Sequence, residues 1–115
     1  MPLALLTVVE TPPYLRDAAK LLSEAERADV VDLIAADPLC GDVVKGGGGI
    51  RKVRIALAGR GKRSGARVIY FFHNATMPAY LWAIFAKNER TDLRDAEVAA
   101  LAKLGKAIVK AHGGP

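Results

Sequence analysis

The chain has 115 residues, a formal net charge of +5, 51% hydrophobic residues and 25% charged ones. That length and balance fit one folded domain over residues 1–115 and exclude a disordered chain. A single cysteine, Cys40, excludes an internal disulfide, and with only two histidines no metal or other cofactor is expected and a reducing cytoplasm is the default compartment.

The opening "MPLALLTVVE" is apolar for a few residues and meets Glu10 at once, so it reads as a strand, not as a signal peptide or a membrane span. "TPPYLRDAAKLL" follows as a helix, with Thr11 placed to cap it and Pro12 at its first position. A second helix, "SEAERADVVDLIAADP", opens with Ser23 and Glu26 at capping-box spacing and stops before Pro38. After a glycine turn at 46–49, strands are expected near 50–57, 67–73 and 79–87. "AYLWAIFAK", almost continuously apolar, suits a strand covered on both faces. The last helix, "DLRDAEVAALAKLGKAIVKAH", is expected from Asp92, with Gly105 weakening its interior by about 1 kcal/mol relative to Ala. The order β-α-α-β-β-β-α, with short hairpins joining the last three strands, gives an α+β fold built on a small antiparallel sheet.

Charge is segregated along this order. Residues 1–42 hold three basic and eight acidic side chains, whereas residues 43–88 hold nine basic and none acidic. Such a chain presents a cationic face suited to polyanions. The glycines do not make a nucleotide site: "GKRS" at 61–64 has Arg63 where the P-loop needs Ser or Thr, and no helix follows "GRGKRSG". They read instead as turns that let a hairpin approach another backbone closely. His73 and His112 have no partner nearby in sequence and read as solvated polar residues. Trp82, Tyr80 and Tyr70 read as packed, with a groove-facing Tyr70 hydroxyl as the alternative for the last of these.

What remains is cationic. In the second strand Val53, Ile55 and Leu57 share one face, which leaves Lys52 and Arg54 on the other. Arg67 stands on the next strand, Lys87 ends the last one, and Arg60, Lys62 and Arg63 crowd the hairpin tip. Lys45 and Arg51 flank the glycine turn and add to the surface for RNA or a ribosome. A metal-free cationic sheet can still cleave RNA, whose 2′-hydroxyl is an internal nucleophile. The protein must align that oxygen, take its proton and stabilise charge on phosphorus and on the leaving 5′-oxygen. A lysine among arginines is disfavoured as a cation and so becomes a candidate base.

Through "GDVVKGGGGIRKVRIA", the basic loop "GRGKRSGARVIYFF" and the closing "FAKNERTDL", the chain resembles the RelE/HigB superfamily of toxin–antitoxin toxins, and most closely its HigB-like branch. The resemblance implies a RelE-like fold and a metal-free endoribonuclease (an mRNA interferase) that cuts translated mRNA on the ribosome. It also implies silencing by a cognate antitoxin, of the DNA-binding helix-turn-helix type, and action without any membrane. The family's basic pair falls on Lys52, the expected base, and Arg54, and its strand-opening arginine on Arg67; these arginines are the expected phosphate clamps. The arginine that follows the last strand's lysine in RelE-type members is here Asn88, and their C-terminal tyrosine has no counterpart. Lys87, Lys62 and Arg63 are therefore left as candidates for the general acid. Two readings stand beside this one: a non-catalytic nucleic-acid or ribosome-binding module, and a domain whose basic face only docks an acidic antitoxin.

Overall fold

The computed structural model describes residues 6–57, 65–90 and 92–113. Its elements are β1 (Val8–Glu10), α1 (Pro12–Leu21), α2 (Glu24–Ala36), β2 (Asp42–Val43), β3 (Ile50–Ala56), β4 (Gly65–Phe71), β5 (Ala79–Ala86) and α3 (Asp95–Ala111). The strands form one sheet in the order β1-β5-β4-β3-β2. The three long strands and β2 pair antiparallel as the hairpins dictate, while β1 lies parallel to β5. The fold is thus α+β as expected, with a mixed sheet. The short β2 strand, inside the quoted "GDVVKGGGG", is an addition that its two residues were too few to signal.

Local chemistry accounts for most boundaries. Ser23 and Glu26 close the capping box of α2: the Glu26 amide donates to Ser23 Oγ at 3.1 Å and the Ser23 amide to Glu26 Oε1 at 2.9 Å. Thr11 occupies the N-cap position of α1, but its hydroxyl donates to the Leu81 carbonyl at 2.7 Å and so ties the helix to β5 instead of capping it. The last helix starts at Asp95, not at the expected Asp92. The Asp92 carboxylate is drawn to Lys52, and Leu93 is pulled into the apolar cluster under α3.

Helices cover both faces of the sheet. On one face Tyr14 and Ala18 of α1, Leu22 just after it, and Val30 and Ile34 of α2 pack on Val68, Tyr70, Leu81 and Ile84. On the other, Leu101, Ile108 and Val109 of α3 pack on Ile50, Ile69, Phe71 and Trp82. A register shift in β5 explains how one strand serves both. Ile69 pairs with Ala83 but Tyr70 with Leu81, so Trp82 is an extra residue. Leu81 and Ile84 then join the first cluster, and Trp82 and Phe85 the second.

Gly105 takes on a different meaning here. It is buried against Phe71, and a Cβ at this position would lie 2.7 Å from Phe71 Cε1. The glycine that weakens the helix is what lets α3 approach the sheet.

Candidate nucleic-acid interface

Because Val53 and Ile55 pack toward α1 and α2, strand alternation turns Lys52 and Arg54 to the α3 side of the sheet. The buried contacts of α3 are made toward the Ile50 and Phe71 end of that face. The opposite end carries the cations. Arg54 and Arg67 are direct cross-strand partners, so their side chains leave the same face of neighbouring strands. Arg54 is exposed, whereas Arg67 is only 9% exposed. Its one hydrogen bond among the described residues is a long one, from Nη1 to the Ala66 carbonyl at 3.5 Å. No carboxylate pairs with it among the described residues, and residues 1–5, 58–64, 91, 114 and 115 contain no acidic side chain that could.

The row continues onto β5. Phe85 lies across from Arg67, and the Arg90 guanidinium sits over the Phe85 ring with Cζ 4.8 Å from its centroid. Arg90 also forms a two-pronged ion pair with Glu97 and donates from Nη2 to the Asp92 carbonyl at 3.0 Å. The Arg90 hydrogen bond holds the Glu97 carboxyl at about 2, below its usual 4.5, and the Arg94 amide adds to that effect. One face of the sheet therefore carries Arg54, Arg67 and Arg90 in sequence, with Lys52 beside them. Lys52 Nζ is 3.0 Å from Asp92 Oδ2, and this hydrogen bond lowers the Asp92 carboxyl below its ordinary value.

The other expected residues distribute as follows. Lys87 is exposed just beyond β5, and its amide donates to the Gly65 carbonyl at 2.9 Å, beside the start of β4. Arg51 is not part of the row: it is cross-strand from Tyr70 and donates from Nη1 to the Gly41 carbonyl at 2.8 Å, which fixes the loop before β2. Lys45 is exposed in the glycine turn, at the far end of β3 from Arg54. Arg60, Lys62 and Arg63, expected at the hairpin tip, lie outside the described residues. Tyr70 faces the α1–α2 core, where its hydroxyl accepts from the Gly41 amide at 2.9 Å and donates to the Pro38 carbonyl at 2.8 Å. Burial pushes its pKa well up. It is packed, as read from the sequence, and takes no part in the groove.

Sequence reasoning missed Arg90, Asp92, Glu97 and Phe85. Their signal was two arginines and four acids crowded into "NERTDLRDAE" between a strand and a helix. Nothing local shows that this stretch folds back over the sheet.

Residues 41–113, from just before β2 to the end of α3, match the family model described as the RelE toxin of the RelE/RelB toxin–antitoxin system. The chain belongs to the RelE toxin family. The match contains every residue of the cationic row and omits β1, α1 and α2. As a RelE-family toxin, the protein is the toxin half of a toxin–antitoxin pair, and its family implies a cognate antitoxin. Among the described residues no helix is long and apolar enough to cross a membrane.

Proposed function

We propose that this RelE-family toxin is a ribosome-dependent endoribonuclease that cleaves translated mRNA without a metal ion. The observation that carries the reading is Arg67: a nearly buried arginine, cross-strand from a second arginine and lacking any carboxylate partner among the described residues. Burying an unpaired charge costs free energy, and an arriving phosphate offsets that cost. Arg54 and Arg67 clamp the non-bridging oxygens of the scissile phosphate, and Arg90, held by Glu97 and Phe85, takes a neighbouring phosphate.

The 2′-oxygen attacks phosphorus, forming a P–O2′ bond while the P–O5′ bond breaks. Its proton goes to the Lys52–Asp92 pair. Lys52 is the base expected from sequence, but in the ion-paired state the lone pairs that can accept a proton belong to the Asp92 carboxylate. The leaving 5′-oxygen takes a proton from one of the remaining cations, with Lys87, Lys62 and Arg63 as candidates. The products are a 2′,3′-cyclic phosphate and a 5′-hydroxyl. The sparse histidines and absent carboxylates of residues 43–88 support a metal-free route. The basic sequence at 58–64 supports placement in the HigB-like branch, the ribosome supports a cytoplasmic site of action, and the branch supports an antitoxin of the helix-turn-helix type.

The test is to induce the protein in bacteria and map mRNA 5′ ends. Growth should stop and new ends should appear inside translated codons, carrying 5′-hydroxyl groups, while untranslated transcripts stay intact. Arrest without new ends would instead favour a non-catalytic ribosome-binding module. Cutting of naked RNA at the same positions would refute ribosome dependence.

A further inference from the structure

A second cationic feature lies at the other end of the same face, away from the arginine row. Between the C-terminal half of α3, the glycine turn and the end of β4 there is a cleft of about 620 Å³. Val109 gives it an apolar floor above the buried Phe71 ring, and Lys106 and Lys110, one helical turn apart, stand along its α3 wall. Beside His73 and Gly105 in the lining, Gly48 and Gly113 add bare backbone. Both have positive φ, +61° and +86°, and a Cβ built on either would meet nothing within 4 Å. Their backbone therefore borders open space.

The surrounding charge has one sign. From Val98 to the C-terminus the sequence contains no acidic residue, while Lys103, Lys106 and Lys110 recur along α3. The acids of α3, Asp95 and Glu97, sit in its first turn, and Glu97 is about 13 Å along the axis from Lys106. Lys106 and Lys110 make no ion pair among the described residues. The volume falls in the range of clefts that hold a small ligand.

We propose that this cleft is a second RNA site, which holds one nucleotide away from the scissile bond. Lys106 and Lys110 take its phosphate, the uncovered glycine backbone lets the sugar–phosphate chain come close, and the apolar floor receives the base. Phe71 is four residues beyond Arg67 on β4, about 13 Å along the strand, so a single RNA strand can engage both sites at once. The cleft then sets where along the message the arginine row falls. This rests on the RNA-cleaving reading above, and the experiment separates the two.

Isotope-labelled full-length protein is titrated with a short 2′-O-methyl RNA oligonucleotide, which cannot be cleaved, and separately with a polyglutamate peptide, while backbone amide shifts are followed. RNA should move the amides of Gly48 and of residues 105–113 together with those of Arg54 and Arg67. In the Lys106→Ala/Lys110→Ala double variant the first set should stop responding and the second should persist. The slope of log K against log salt should fall by about 0.7, for the one phosphate that the two lysines neutralise. Both lysines are exposed, so the variant keeps the fold, which its amide dispersion verifies. A response confined to the arginine row, or one at the cleft that survives the double substitution, refutes the second site and leaves the cleavage reading intact. A cleft that responds to polyglutamate and not to RNA identifies an acidic-peptide site and overturns the proposal. Silence at both ends refutes the second site, while the cleavage reading stands or falls on the mapping of mRNA ends after induction.

Discussion

An arginine that is 9% exposed, stands cross-strand from another and hydrogen-bonds only to the preceding carbonyl among the described residues works against folding. Imperfectly satisfied buried polar groups cost about 1–3 kcal/mol, and more when charged. Leucine at this position would keep apolar volume next to Phe85 and remove both the desolvation penalty and the repulsion from Arg54. Arg67→Leu is therefore expected to raise the urea midpoint of unfolding, by the equivalent of about 1–3 kcal/mol, while abolishing new mRNA ends. Arg54→Leu, at an exposed position, should abolish cleavage with little change in the midpoint. Equilibrium unfolding beside end mapping checks both. A destabilised Arg67→Leu would mean that the arginine serves the fold and not the phosphate.

At the scale of elements, α3 is where propensity and packing disagree. Replacing Gly105 by Ala gains about 1 kcal/mol of helix propensity. The added Cβ, however, meets three atoms of the Phe71 ring at 2.7–3.2 Å. That ring cannot swing aside, because it stacks on Trp82 with centroids 5.1 Å apart and planes within 7°. Overpacking of this kind costs about 1–3 kcal/mol and outweighs the gain. Gly105→Ala should lower stability by up to about 2 kcal/mol, and adding Phe71→Leu should restore part of the loss, as a double-mutant cycle in urea would measure. Equal or greater stability in the single variant would show that α3 lifts off the sheet freely. The other end of the helix is fastened by polar contacts: Glu97 accepts from the Arg94 amide at 2.8 Å and grips Arg90, so one carboxylate starts α3 and orients a cation of the row.

Over the whole molecule the two halves of the sequence become two sides of the sheet. The acidic first third supplies the layer of α1 and α2, and the acid-free middle supplies β3, β4 and β5 with their cationic face. An RNA surface the size of a ribosome then sees an attractive field on one side only. Arg60, Lys62 and Arg63, outside the described residues, add three positive charges to the sequence between β3 and β4. Neutralising all three should weaken ribosome association and lower the slope of log K against log salt by up to about 1 for each phosphate no longer neutralised. Cutting by the bound fraction should persist. Co-sedimentation with ribosomes across a salt series measures the slope. Normal binding without cutting would instead assign the general acid to Lys62 or Arg63.

The sequence by itself determined the element order apart from β2, the capping box at Ser23 and Glu26, the face shared by Lys52 and Arg54, and the sign of the surface, because each rests on period, spacing or charge within a few residues. The resemblance in "FAKNERTDL" likewise pointed to the family that the match over residues 41–113 establishes. Only the tertiary structure decided which cations meet. Cross-strand register puts Arg54 against Arg67 and Arg67 against Phe85, and a one-residue slip on either strand would have parted them. The fold-back after β5 brings Arg90 and Asp92, nearly forty residues from Lys52 in the chain, onto the same face. Gly105 shows the same limit from the other side. Read along the chain it weakens a helix, and only the ring of Phe71, 34 residues earlier, gives the missing side chain its purpose.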